Sequence, residues 1–269
     1  MAPVHFSPLN YAVLGGYLFA MLAVGVLFAR RQKTTEDYFL GGRKMPWLVV
    51  GMSMYASLTS AVTFMALPGT AYRENVAFIV VSFASVLVAP VLVTLFYPFY
   101  HRLRVTTSYE YVAHRFGPRA RQAVAGLFIL ARLGWLGLVV YAPALALSVV
   151  SGIPLWGCIL AMGGLATAYT VLGGLAADVW TDVVQFVLML GGVAWLIFAL
   201  IQRAPGGAAG ILDFARAQGH LHVADWSLSL TAMSGWVVGL GYFFQLMQDY
   251  GTDQLTVQRM MAIPTSRGV

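Results

Sequence analysis

Five hydroxyl side chains fall within eleven residues of an otherwise apolar block, 46–67, and supply polar atoms where a membrane helix would have few. The block has the length of a membrane-crossing helix, and so many hydroxyls make a poor lipid-facing surface. The pattern favours a helix that lines a polar cavity or is locally unwound. The alternative is that the hydroxyls bond back to their own helix. The five are Ser53, Ser57, Thr59, Ser60 and Thr63.

Two ionisable residues, Asp182 and Arg132, lie within or at the edge of other apolar blocks. Because burying charge at membrane depth is expensive, each is a functional candidate. For Asp182 the alternative is a carboxylate that complements the dipole at its helix start, and Asp178, one turn earlier, is predicted to cap that helix. Arg132 follows Arg121 by about 16 Å of helix and needs a partner. That partner is either the carboxylate of an anionic substrate or a structural group, Asp182 or helix-end carbonyls.

Membrane-spanning helices are the elements that would position these residues. Of the 269 residues, 59% are hydrophobic and 10% are charged, whereas a soluble domain has about a quarter charged residues. The apolar residues form blocks long enough to cross about 30 Å of hydrocarbon. The sequence therefore predicts an all-α membrane protein, a single transmembrane domain over 1–269, with seven transmembrane helices. The predicted spans are 11–29, 46–67, 76–99, 122–150, 155–172, 179–201 and 229–249.

Basic residues between these blocks predict the orientation. Twelve Lys and Arg residues lie in the gaps 30–45 and 100–121 and in the tail after 249, against three on the other side. Positive residues collect on the cytoplasmic side, so the C-terminus is predicted to be cytoplasmic and the N-terminus outside, in a multi-pass protein of the plasma membrane. This distribution accounts for the net charge of +6. We therefore expect the lipid bilayer, and no nucleic acid, as a partner.

Several functional classes are disfavoured by what the sequence lacks. The single Cys158 excludes an intramolecular disulfide and a cysteine-based metal site. A retinal pigment needs a lysine in its last span, and no lysine follows Lys44. His220 and His222 lie in the gap 203–228, where a solvated loop is predicted and not a metal site. No acid/base or metal cluster stands out beside the spans, so an enzyme is not expected.

Four groups of short motifs occur in order along the chain. They are YFLGGR at 38–43; LPG at 67–69, closing the hydroxyl-rich block; GGL at 173–175 with WTD at 180–182 and Gln185; and DQ at 253–254 with VQR at 257–259. In order and spacing they resemble the motifs of the sodium:solute symporter family. The resemblance covers about residues 10–265, and YAPALAL at 141–147 with LWG at 155–157 is similar to the branch that carries monocarboxylates, vitamins and iodide.

The resemblance implies the first part of a LeuT-like fold, in which two inverted five-helix repeats hold ion and substrate sites at the midplane beside broken helices. Segment 11–29 would then be an extra leading helix, and 46–201 the first repeat. Segment 229–249 would be the first helix of an incomplete second repeat. Family members continue through further helices, one of which completes the sodium site, so a missing C-terminal half is an expected partner.

The resemblance also implies a sodium site. Its ligands would be the backbone carbonyls of Ala56 and Thr59, at the break in the first core helix. Asp182 matches a family acidic residue that is linked in relatives to sodium coupling or to a second sodium site. Unwound carbonyls suit a hard cation because they supply oxygen without buried charge. Two positions depart from the family pattern: Leu58 stands where some relatives have a carboxylate or amide, and Asp178 where the family residue is usually apolar.

The substrate site implied by the resemblance is a small polar pocket with an aromatic wall. Ser82 and Ser85 are three residues apart and therefore share one helix face. At the inner end of the last span, Asp249 and Tyr250 lie near the inner aromatic gate of relatives. The substrate candidates are Ser60, Thr63, Phe78, Ser82, Ser85 and, for an anion, Arg132.

The expected function is sodium-coupled symport of a small organic solute by alternating access, with a monocarboxylate or other anion favoured. Na+ is the expected coupling ion, and no organic cofactor is expected. Alternating access needs both repeats. The alternative is therefore a transport-incompetent fragment or a transporter-like sensory or binding module.

Overall fold

The computed structural model describes residues 6–30, 32–59, 61–73, 75–103, 105–223, 226–227 and 234–264. Over these ranges the chain is built from helices and the turns between them. The helices are α1 Pro8–Ala29, α2 Thr35–Leu40, α3 Trp47–Leu58, α4 Ala61–Arg73, α5 Ile79–Val91, α6 Tyr97–Leu103, α7 Ser108–Phe116, α8 Pro118–Ser151, α9 Leu155–Arg203, α10 Gly207–Ala217, α11 Gly235–Gly251 and α12 Gln254–Met261. A π-helical stretch, Leu92–Phe96, joins α5 to α6, and a 3-10 turn, Gly41–Arg43, follows α2.

In the described part of the chain, four helical segments are long and apolar enough to cross a membrane, and α3 is a shorter apolar helix. The four are Pro8–Ala29, Ile79–Leu103, Pro118–Ser151 and Leu155–Arg203. They confirm an all-helical chain with several apolar helices. The count of seven, the repeat boundaries and the orientation of the termini stay predictions.

The longest helix, α9, holds two of the predicted spans, 155–172 and 179–201. Gly174 interrupts it with φ 56° and ψ −161°, a backbone conformation that is essentially restricted to glycine. A side chain at this position would also place a Cβ 2.6 Å from the Tyr38 carbonyl oxygen. Both the dihedral angles and the close approach require glycine at the break.

The hydroxyl-rich block is a broken helix. α3 ends at Leu58 and α4 begins at Ala61. Thr59 has an extended conformation, with φ −91° and ψ 102°, and its N–H donates to the Tyr55 carbonyl. Local unwinding was one of the structures that the hydroxyl pattern favoured. Ser60 lies outside the described residues.

Four short helices were not predicted from the sequence: α2, α7, α10 and α12. The prediction of a loop over 203–228 is wrong where α10 lies, at Gly207–Ala217. These helices have between six and eleven residues, too few for a membrane-length hydropathy signal. Local capping marks two of them. Thr34 and Asp37 form a reciprocal capping box at α2, and the Asp253 side chain accepts from the Leu255 N–H at the start of α12.

The helix α12 packs into the interior of the described structure. Val257, Met260 and Met261 are buried in one cluster with residues of α2, α5 and α6. The sequence interpretation counted the residues after 249 as a tail, whereas Gln254–Met261 form a docked helix; their cytoplasmic side stays a prediction. The apolar face of α12 anchors the helix, and this docking carries its polar residues inward.

Candidate functional site

The carboxylate of Asp182 is the centre of a buried polar cluster. Its Oδ2 accepts a hydrogen bond from Ser53 Oγ at 2.7 Å and another from Ser57 Oγ at 2.9 Å. The guanidinium of Arg259 donates a third, from Nη2 at 3.0 Å. Asp182 is only 7% exposed. A buried carboxylate requires such donors because it has lost its hydration.

Arg259 links the cluster together. Its Nη2 also contacts Asp178 Oδ2 at 2.5 Å, and its Nε donates to Ser53 Oγ at 2.8 Å. The residue is 6% exposed, so it belongs to the interior of the protein, a burial that its assignment to a tail did not predict. Two carboxylates therefore share one guanidinium, so loss of Arg259 would leave both of them without their cation.

Helical spacing explains how three segments build the cluster. Ser53 and Ser57 are four residues apart on α3, and Asp178 and Asp182 are four residues apart on α9, so each pair shares a face. Arg259 arrives on α12. For Ser53 and Ser57, the alternative of bonding back to their own helix is wrong because both donate to Asp182.

Asp178 is not a helix cap. The helix resumes directly after Gly174, which places Asp178 inside it and Asp182 about two turns along. The dipole effect is confined to the first turn, so it does not account for Asp182. The structure instead pairs both carboxylates with Arg259.

The predicted sodium ligands lie beside this cluster. Ala56 is buried on α3 and precedes Ser57, one of the two donors to Asp182. It belongs to the last turn of α3, where helix carbonyls lack intrahelical donors. Thr59 is the extended residue that follows. Their role as sodium ligands stays a prediction.

A cavity of about 620 Å³ opens next to the cluster. Thr63, Arg132 and Asp249 line it, together with Arg259 and Asp253. Arg132 forms an ion pair with Asp253, the N-cap of α12, and its guanidinium lies 5.2 Å from the centre of the Phe128 ring. The structural partners considered for Arg132 were Asp182 and helix-end carbonyls. The structure shows Asp253 in their place.

The remaining substrate candidates do not all reach this cavity. The ring of Phe78 packs edge-on against Tyr242, which lines the cavity, at 6.0 Å between ring centres. Ser85 donates back to the Val81 carbonyl at 3.0 Å and lines a second cavity of about 320 Å³ together with Tyr250.

Ser82 is exposed, and Ser60 lies outside the described residues. Thr63, Arg132 and Asp249 are thus brought together, whereas Ser85 and Tyr250 lie at a second cavity. The carboxylate of Asp249 accepts a hydrogen bond from Gln245 Nε2 at 3.1 Å.

The sequence did not reveal the hydrogen-bond donors to Asp182 or the ion-pair partner of Arg132. Ser53, Ser57, Arg259 and Asp253 had been noted only as members of a hydroxyl-rich block or of motifs. The four-residue spacing of the serines and of the two aspartates was a usable signal. Nothing local indicated which helices would meet.

Comparison with known proteins places this geometry in a family. The sequence model of the sodium:solute symporter family matches residues 38–269. The chain is 35% identical to the sodium/sialic acid symporter SiaT of Proteus mirabilis (strain HI4320), covering 94% of this chain and 51% of that protein. It is also 35% identical to the human sodium-coupled monocarboxylate transporter 2, covering 98% of this chain and 43% of that protein.

The fold has a solved counterpart. A structure of a Na+-coupled sialic acid symporter, in a substrate-bound outward-open state, matches with a TM-score of 0.93 and 33% identity, covering 98% of this chain and 55% of the other. The chain spans about half the length of the curated relatives it matches. Within that span, the motifs, the broken helix and the similarity agree: this chain is a multi-pass membrane protein of the sodium:solute symporter family.

Proposed function

We propose that the protein takes part in sodium-coupled symport of a small organic solute that carries a carboxylate group. The observation that carries the proposal is the bonding of Asp182, a buried carboxylate held by two hydroxyls of α3 just before its break. Family membership and the sodium-coupled relatives support the same conclusion.

For the ion, the proposed ligands are Asp182 and the carbonyls of Ala56 and Thr59. Sodium is a hard cation that takes oxygen ligands, and helix breaks supply carbonyl oxygens inside a membrane. Ser57 bonds to Asp182 and is adjacent to Ala56, so these groups belong to one neighbourhood. The solved sialic acid symporter is described as having a Na+ site, which supports looking for one here.

For the solute, the proposed ligand of its carboxylate is Arg132. Both named relatives carry acids, a sialic acid and monocarboxylates, and Arg132 faces a cavity large enough for a small molecule. Because Arg132 is paired with Asp253, a substrate carboxylate would displace the Asp253 side chain from the guanidinium of Arg132. The hydroxyls of Ser60, Thr63, Ser82 and Ser85 and the ring of Phe78 remain proposed contacts.

The surrounding assignments are part of the same proposal. Asp249 and Tyr250 are proposed to lie at an inner gate: Asp249 lines the cavity next to the cluster, and Tyr250 lines the second cavity. The charge distribution supports an external N-terminus and a cytoplasmic C-terminus in the plasma membrane. A complete alternating-access cycle would draw on the helices that the longer relatives possess.

A proteoliposome experiment separates the possibilities. The chain is reconstituted, and uptake of sialic acid and of propionate is followed with an inward sodium gradient and with a potassium gradient instead. Sodium-dependent uptake that is lost in Asp182→Asn supports the proposal. Equal uptake in both gradients, or full sodium coupling in Asp182→Asn, contradicts it.

A second candidate function is binding of ion and solute without transport, favoured by the position of the buried cluster and its neighbouring cavity within this chain. In that case the purified chain in nanodiscs binds radioactive sodium, and Asp182→Asn abolishes the binding, while proteoliposomes accumulate no solute. Absence of sodium binding by the wild-type chain contradicts both candidates.

A further inference from the structure

The side chain of Asp178 contacts the same nitrogen of Arg259 that contacts Asp182. The distances from Nη2 are 2.5 Å to Asp178 Oδ2 and 3.0 Å to Asp182 Oδ2. A guanidinium Nη carries two hydrogens, so one can bond to each carboxylate. Either bond can therefore be released while the other is kept.

The charges in this group do not balance. Among the described side chains that bond to one another here, Asp178 and Asp182 contribute two negative charges and Arg259 contributes one positive charge. One negative charge is left over in a group where Asp182 and Arg259 are buried and the side chain of Asp178 is 24% exposed. Uncompensated buried charge is costly, and a single monovalent cation would neutralise it.

The balance depends on Asp178. Without its charge, Arg259 alone would neutralise Asp182, and an added Na+ would bring an uncompensated positive charge into the interior. Arg259 would also have no second carboxylate to bind when the cation took its place. Its other anchor is neutral, because Nε donates to Ser53 Oγ at 2.8 Å.

We propose that Asp178 is a positioning residue that holds Arg259 while Na+ binds to Asp182. This inference rests on the proposed sodium role of Asp182 and adds a second carboxylate that does not itself touch the ion. Arg259 acts as a resident cation shared between the two carboxylates. On sodium binding it gives up Asp182 Oδ2 and keeps its bond to Asp178, so the ion and the guanidinium each have one carboxylate.

Sodium affinity tests the charge balance directly. Radioactive sodium binding is measured on the purified full chain in lipid nanodiscs, for wild type, Asp178→Asn, Asp178→Glu and the double variant Asp178→Asn with Arg259→Gln. Asp178→Asn is expected to weaken sodium binding by about tenfold or more, the usual size of coupling between charges in contact. The matched control is Asp213→Asn, since Asp213 is an exposed carboxylate on α10, and it is expected to bind as wild type does.

The double variant distinguishes positioning from a purely structural role. Removing both the Asp178 charge and the Arg259 charge leaves one negative charge at Asp182, so sodium affinity is expected to return to within about threefold of wild type. Asp178→Glu keeps the charge and is also expected to bind sodium. Thermal unfolding midpoints of every variant report whether each one is folded, and Asp178→Glu tests the proposal even if Asp178→Asn does not fold.

The outcomes separate this inference from the proposed function. If wild type binds no sodium, the proposed role of Asp182 fails and this inference fails with it. If wild type binds sodium and folded Asp178→Asn binds it equally well, only the positioning role of Asp178 is overturned. The positioning role is also overturned if Asp178→Asn binds sodium weakly and the folded double variant does not regain wild-type affinity. Weak sodium binding in folded Asp178→Glu overturns it too.

Discussion

Arg259 Nε donates a 2.8 Å hydrogen bond to Ser53 Oγ, although the two residues are 206 positions apart in the chain. Ser53 in turn donates to Asp182, so its hydroxyl lies between the carboxylate and the guanidinium. The bond ties the helix before the break, α3, to the helix near the end of the described chain, α12. The proposed ion site therefore depends on the docking of α12 as much as on the break itself.

Replacing Arg259 with alanine is expected to destabilise the protein strongly. The substitution leaves two carboxylates without their cation, which costs about 3–5 kcal/mol when a buried pair loses one partner. The thermal unfolding midpoint in detergent measures the effect. Arg216→Ala is the matched control, because Arg216 pairs with Asp213 at 3.7 Å on an exposed helix and such pairs contribute little. Equal midpoints for the two variants would contradict a buried role for Arg259.

The two serines that bond to Asp182 are expected to differ in importance. Ser53 is fully buried and both donates to Asp182 and accepts from Arg259. Ser57 is more exposed, and among the described residues its side chain bonds to Asp182. Ser53→Ala should therefore cost about 1–3 kcal/mol of unfolding free energy, and Ser57→Ala about 1 kcal/mol or less. Unfolding of the two variants in parallel tests the order, and a larger loss in Ser57→Ala would reverse it.

Gly174→Ala is expected to disrupt the break within α9. A Cβ at this position would lie 2.6 Å from the Tyr38 carbonyl oxygen, and the backbone has φ 56°. The strain should cost about 2 kcal/mol or more. Gly191→Ala, on the same helix with no atom within 4 Å of its added Cβ, is the control and should be tolerated. A Gly174 variant as stable as this control would show that the break does not require glycine.

The pairing of Arg132 with Asp253 predicts opposite effects on anion binding. Arg132→Gln should abolish binding of a carboxylate solute, whereas Asp253→Asn should strengthen it by about tenfold because the competing carboxylate is removed. Asparagine retains the ability to cap α12, so the helix should remain in place. Equilibrium binding of sialic acid and propionate to the purified chain measures both.

These two variants also have a clear contrary result. If Arg132→Gln binds carboxylates as wild type does, Arg132 is a structural partner of Asp253 and not a substrate ligand. If Asp253→Asn weakens carboxylate binding while remaining folded, the two side chains do not compete.

The membrane class, the apolar helices that the described residues contain and the family could all be predicted from the sequence. Hydropathy and motifs are local properties, and a run of apolar residues reports its preference for lipid whatever it packs against. The hydroxyl-rich block similarly predicted a polar or unwound helix, and the break follows Leu58. Glycine at 174 belonged to a recognised motif, although its backbone conformation had not been predicted.

Only the tertiary structure decided which charges meet. Arg259 was assigned to a tail and Asp178 to a helix cap, yet both pair inside the protein. Asp182 and helix-end carbonyls were the structural partners considered for Arg132, which pairs with Asp253 instead. Ion pairs of this kind join residues far apart in the chain. They form because the apolar face of a short helix such as α12 packs against other helices and brings its charged residues into the interior. No local pattern contains that information, because the free energy of a buried charge depends on its three-dimensional neighbours.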